Sequence, residues 1–308
     1  MIKIIDKKTR DLKAIANKHF KKLEPVLKRA IWEHLPARHA AYISNRLEEI
    51  IVGEPVELLQ LNRNYYRFCK SNRLKPSRKI SSAFSYDNFL QRKSYNPCHL
   101  ANELKVNICP YCNRQYTFTV TFNRRQVTRP EFDHFFSQEL FPLLSLSFYN
   151  LVPCCTICNS RLKGRKKFRL DTHMHPYLHG FDDDLTFGYT AKTLQAATGL
   201  SNELKIELLT RCTAANGLII KGNCDAFKLE AIYQEHSDSV REIVRKHYVT
   251  GGKYLQLLAK AIPAMHTNSV ELYQLAFGNY YNPVDFDRRP LGKLTKDIFQ
   301  GLKFVLPK

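Results

Sequence analysis

Acidic side chains are scarce in this 308-residue chain. Asp and Glu total 28 against 48 Lys and Arg, a formal net charge of +20. That surplus favours a polyanionic partner, nucleic acid first and an anionic membrane surface second. Long unbroken apolar runs are missing too. The one extended uncharged stretch, residues 140–159, is interrupted by Pro142, Asn150, Pro153 and three cysteines. In lipid it would leave polar groups unsatisfied, so no membrane span is expected. Residues 1–13 alternate charge with short apolar pairs and lack the apolar centre of a secretory signal, so a cytoplasmic location is expected. No internal repeat or low-complexity tract is present, and a hydrophobic fraction of 44% excludes wholesale disorder.

Three sections differ in pattern. Residues 1–100 carry helical spacing (Leu12, Ile15, Phe20 and Leu23, then Leu27, Ile31 and Leu35), with Pro25 and Pro36 as expected helix boundaries. Trp32 falls on an apolar helical face and is expected in the core. Between Leu58 and Tyr86 there is no acid, while Arg63, Arg67, Lys70, Arg73, Lys75, Arg78 and Lys79 are interleaved with Tyr65, Tyr66 and Phe68. Such a stretch is either an ordinary solvated helix surface or a track for a nucleic-acid strand. Residues 101–180 are rich in cysteine and turns, with a strand expected over 115–122. Residues 181–308 offer short strands at 185–190 and 204–209, then helix from about 227 to 261. The fold class expected is α+β.

Nine cysteines form an odd set in a mid-sized chain, which favours metal binding and buried thiols over a disulfide framework. Two Cys-x-x-Cys pairs, Cys109/Cys112 and Cys155/Cys158, are separated by 42 residues. One such pair is ambiguous with a redox dithiol. Two match the four thiolates of a closed structural zinc site. Cys154 competes as a ligand, but only Cys155 preserves the two-residue gap to Cys158. Cys69, Cys98, Cys212 and Cys224 lack ligand spacing and read as structural. His173, His175 and His179 cluster without a carboxylate or cysteine at suggestive spacing and read as turn and packing residues.

Between the cysteine pairs lies an ionisable Asp133-His134 pair framed by aromatics, and burying either group is costly without a partner. The order Cys109-x2-Cys112, Asp133-His134, Asn150-Leu-Val-Pro, Cys155-x2-Cys158-Asn159 and Lys163 resembles the HNH endonucleases, whose core is a ββα-metal fold. The likeness covers about residues 101–180. Within the family it is greatest to the HNH subunits of bacterial anti-phage systems such as Septu.

The resemblance implies a metal-dependent endonuclease that hydrolyses phosphodiester bonds, of DNA before RNA. In it His134 is the general base. Asp133 and Asn159 hold one Mg2+ or Mn2+. Asn150 fixes the orientation of the His134 ring. Asn159 stands where many members carry His, which leaves the metal preference open. Adjacent strand residues point to opposite faces, so Asp133 and His134 need a bend to address one phosphate together. The cations Arg161, Lys163, Arg165, Lys166 and Lys167 that follow are expected at phosphates, with Lys163 at the scissile one. The organisation expected is a basic helical section (1–100) for partner or nucleic-acid binding, an HNH core with its zinc (101–180), and an α+β, largely helical section (181–308) for partner docking. Two other readings stand beside this: a zinc-stabilised nucleic-acid-binding module that does not cleave, and a subunit held silent by an ATPase or sensor partner.

Overall fold

The structure, a computed structural model, describes residues 1–123, 125–262 and 268–306. It is mixed α+β, and its described strands form three two-stranded antiparallel sheets. No described helix is long and apolar enough to cross a membrane. Two compact units cut across the three sections of the sequence.

One unit comprises residues 4–106 and 117–170. It begins with α1 (Leu12–His34), whose N-cap Asp11 accepts from the Ala14 amide at 2.9 Å. Helix α1 runs straight through Pro25, where a boundary was expected. Pro25 lies on the exposed side, so water can satisfy the carbonyl that its missing N–H leaves free. The opposite stripe, Leu12, Ile15, Leu23, Leu27 and Ile31, is buried and holds the helix continuous. Trp32 is 55% exposed rather than in the core, because it sits one residue, about 100°, past the buried Ile31.

Pro36 does mark a boundary, at the N-cap of α2 (Ala37–Ser44). There follow α3 (Leu47–Val52), α4 (Pro55–Ser71), α5 (Ile80–Ala83), α6 (Tyr86–Gln91) and α7 (Pro97–Leu104). A capping box between Glu54 and Glu57 starts α4. The strand expected over 115–122 is realised only as β1 (Val120–Phe122), paired with β2 (Arg125–Thr128) in an exposed hairpin. The second sheet is buried: β3 (Glu131–His134) pairs with β4 (Leu151–Cys154), with Asp133 opposite Val152 and His134 opposite Leu151. A π-helical segment, Ile157–Lys163, follows β4 directly and ends at Gly164, whose φ of 50° suits glycine.

The loop joining β3 to β4 is anchored on the amino-terminal helices. His19, fully buried, bonds the Leu146 carbonyl and the Tyr95 hydroxyl, each at 2.9 Å. The Ser147 hydroxyl donates to the Ile50 carbonyl.

The other unit comprises residues 1–3, 107–116 and 171–308. Its sheet, β5 (Leu185–Ala191) against β6 (Leu204–Thr210), lies where the sequence placed it. Helices α8 (Leu194–Ala197), α9 (Ala214–Ala226), α10 (Leu229–Gln234), α11 (Ser237–Val249), α12 (Tyr254–Ala261), α13 (Ser269–Phe277) and α14 (Gly292–Gly301) complete it. The single helical stretch expected over 227–261 is three helices. His236, outside helical geometry, and Gly251 and Gly252, at φ 55° and 79°, mark breaks that apolar periodicity does not report.

Candidate functional site

The two cysteine knuckles are built locally. In the first, the Cys109 amide donates to the Gln115 carbonyl at 2.9 Å and the Asn113 amide to the Cys109 carbonyl at 2.8 Å. Asn113 takes a left-handed φ of 50°, and its side chain donates to the Phe286 carbonyl and accepts from the Lys293 amide. The Tyr233 hydroxyl donates to the Cys112 carbonyl at 2.6 Å. In the second, the Cys158 amide points at the Cys155 sulfur, 3.4 Å away, and the Asn159 amide donates to the Cys155 carbonyl at 3.0 Å.

The four sulfurs of Cys109, Cys112, Cys155 and Cys158 lie within 4.8 Å of one another, and all four residues are buried. Sulfurs at about 2.3 Å from a tetrahedral ion stand about 3.8 Å apart, so the cluster has the dimensions and donor chemistry for a metal ion such as zinc. Four thiolates leave no coordination position for substrate, so the ion would be structural. Cys154 stays outside the set, as the spacing implied. Its burial pushes the thiol well above its ordinary pKa, so it stays protonated. His173, His175 and His179 join no group of three or more His, Cys, Asp or Glu ligands among the described residues.

Strand β3 distributes the acid–base groups on two faces, as strand alternation requires. Glu131 and Asp133 meet the π-helical segment. The Lys163 ammonium lies 2.6 Å from Asp133 Oδ1 and 2.6 Å from the His134 carbonyl oxygen, with the Phe168 ring 4.8 Å away. Lys163 and Asp133 are only 3% and 4% exposed. Lys163, expected at a substrate phosphate, therefore faces inward, because the buried Asp133 charge requires a partner. Arg161, Arg165, Lys166 and Lys167 are exposed, as phosphate contacts would be.

Asn159 donates its amide to the Glu131 carboxylate at 2.8 Å, and Ser160 adds a bond at 3.0 Å. Burial would raise the Glu131 pKa, but the bonds from Asn159, Thr156 and Ser160 outweigh it and hold the carboxyl below its ordinary value. Glu131 carries no motif signal. Its only sequence cue is its position two residues before Asp133, on the same strand face. Asp133 is thus engaged by Lys163 and Asn159 by Glu131, an arrangement that does not present the two as a ready pair for Mg2+ or Mn2+.

His134 occupies the other face. Its Nε2 lies 2.8 Å from the Ser145 carbonyl oxygen and its Nδ1 3.0 Å from Gln138 Nε2, with the Tyr86 ring edge-on at 4.8 Å. A carbonyl only accepts, so Nε2 carries the proton and Nδ1 presents a lone pair. Burial lowers the His134 pKa to about 4, against the opposing pull of the Ser145 carbonyl and Asp133, so the ring is neutral at pH 7.

Asn150 does not touch the His134 ring, contrary to its expected role. Its side chain accepts from the Phe136 amide at 2.7 Å and donates to the Phe136 and Leu144 carbonyls at 3.1 and 2.9 Å. It shapes the loop, and Ser145 and Gln138 hold the ring. Neither of those carried a signal in the sequence, because their part depends on how the loop folds back. No family model, no curated protein and no solved structure matches this chain.

Proposed function

We propose that the protein is an endonuclease of the HNH type, hydrolysing phosphodiester bonds with His134 as general base. One observation carries this reading. The Ser145 carbonyl fixes the tautomer of a neutral imidazole so that Nδ1 holds a lone pair, and among the described residues the only side chain bonded to Nδ1 is the exposed Gln138. A substrate-side water that displaces the Gln138 amide could give its proton to Nδ1. The resulting hydroxide would attack phosphorus, the bond to the 3′ oxygen would break with that oxygen taking up a proton from water, and His134 would return its proton to solvent. The order of elements adds support: two antiparallel strands and then a helical segment, with Asp133 and His134 closing the first strand.

The divalent cation implied at Asp133 and Asn159 requires Lys163 to release Asp133, so the metal dependence of cleavage is itself part of the test. Nicking of plasmid and oligonucleotide DNA with and without Mg2+ or Mn2+, wild type against His134→Ala, decides the matter. Loss of the base is expected to slow cleavage roughly 100- to 10,000-fold. Equal cutting by both proteins would end the assignment. An effector role in anti-phage defence, gated by an ATPase or sensor partner, extends the proposal on the resemblance alone, and co-purification with such a partner would test it.

The second reading, a zinc-stabilised nucleic-acid-binding module that does not cleave, is favoured by one feature: Asp133 is already neutralised by a buried lysine. Absence of cleavage with every metal, alongside retained binding, would establish it.

A further inference from the structure

Helix α4 has two unlike stripes. Leu58, Asn62, Tyr65 and Cys69 are buried within its unit. Arg63, Tyr66, Arg67 and Lys70, at helical positions i, i+3, i+4 and i+7, share another face, and all four are exposed, Tyr66 by 44%. Arg73, exposed as well, continues the cations past the C-cap at Asn72. None of these four cations makes an ion pair among the described residues. The acids of this helix, Glu54 and Glu57, sit at the opposite end and are used in its cap.

A solvated helix end explains basic residues near a C-terminus through the helix dipole. It does not explain an exposed tyrosine seated between unpaired arginines over two turns. We propose that the Arg63–Tyr66–Arg67–Lys70 face of α4, continued by Arg73, is a binding surface for single-stranded nucleic acid, separate from the His134 site. Arg63 and Lys70 stand about 10 Å apart along the axis, so the cations between them can follow successive phosphates of one strand. Tyr66 offers a ring on which a base can stack between the charged contacts. An anionic membrane is the weaker partner, because the apolar stripe that an interfacial helix would insert is buried within the protein.

The test is fluorescence anisotropy of the full-length protein with a labelled oligothymidylate, in the His134→Ala background and without added Mg2+, so that cleavage plays no part. Arg63→Glu/Arg67→Glu/Lys70→Glu is expected to weaken binding at least about tenfold. It is also expected to reduce the slope of log affinity against log salt by about 2, three phosphates at roughly 0.7 each. Tyr66→Ala is expected to weaken binding about tenfold and Tyr66→Phe much less. All four sites are exposed, so thermal melting should be unchanged, and a shifted melting curve would direct the test to Arg67→Gln alone. Binding by the triple variant equal to the parent's would overturn the proposal. So would duplex binding insensitive to Tyr66→Ala, or binding to phosphatidylserine vesicles without binding to the oligonucleotide.

Discussion

The Lys163 ammonium and the Asp133 carboxylate lie 2.6 Å apart with both side chains almost wholly out of solvent. The pair joins β3 to the π-helical segment, and Lys163 also reaches the His134 carbonyl. Removing one partner strands the other charge in a medium that cannot solvate it. Lys163→Met is therefore expected to cost about 3–5 kcal/mol of stability, and Lys163→Met/Asp133→Leu to recover much of that loss. Urea unfolding of the three proteins reads it. An unchanged midpoint for Lys163→Met would show that the lysine spends its time outside, where a phosphate could meet it.

The sulfur cluster makes a separate prediction. Elemental analysis should find one zinc per chain, and Cys109→Ser or Cys158→Ser should lower both metal content and melting temperature. Cys154→Ser should keep the zinc, because Cys154 lies outside the four-sulfur set. Zinc loss on Cys154→Ser equal to that on Cys155→Ser would place the second knuckle one residue earlier.

Asn150 is expected to matter for folding whether or not the protein cuts nucleic acid. Its amide serves the Phe136 amide and two backbone carbonyls, all in a buried loop. Asn150→Ala leaves those groups unsatisfied, at a cost of about 2–4 kcal/mol. Asn150→Asp keeps the acceptor but sets a buried carboxylate against the two carbonyl oxygens, so it should cost at least as much as Asn150→Ala. A variant as stable as wild type would return Asn150 to a role confined to chemistry.

Stability should fall in mild acid, and His19 is one cause. Burial lowers its pKa to about 4, against the opposing bond to the Leu146 carbonyl. The unfolded chain, with an ordinary histidine near 6.5, takes up the proton first. The contribution is complete above pH 6.5 and is lost as pH falls toward 4, by up to about 3 kcal/mol. His19→Gln should flatten the pH dependence of the urea midpoint in that window. An unchanged slope would assign the acid sensitivity to other groups, among them His134.

The sequence by itself determined what depends on short spacing. Cysteine pairs with two residues between them named the four-sulfur cluster and separated Cys155 from Cys154. Apolar residues at every second position, Leu185, Phe187 and Tyr189, then Leu204, Ile206 and Leu208, mark β5 and β6, and the 3.6-residue period located α1. Only the tertiary structure decided what depends on residues far apart in the chain. A run of cations does not say which one turns inward, and Lys163 does so because Asp133, 30 residues earlier, is buried beside it. Proline marks a helix end unless its exposed side lets water replace the lost bond, as at Pro25. Which groups hold His134 was settled by a loop returning Ser145 and Gln138 to it, since a buried polar group accepts whichever partner the fold brings within reach.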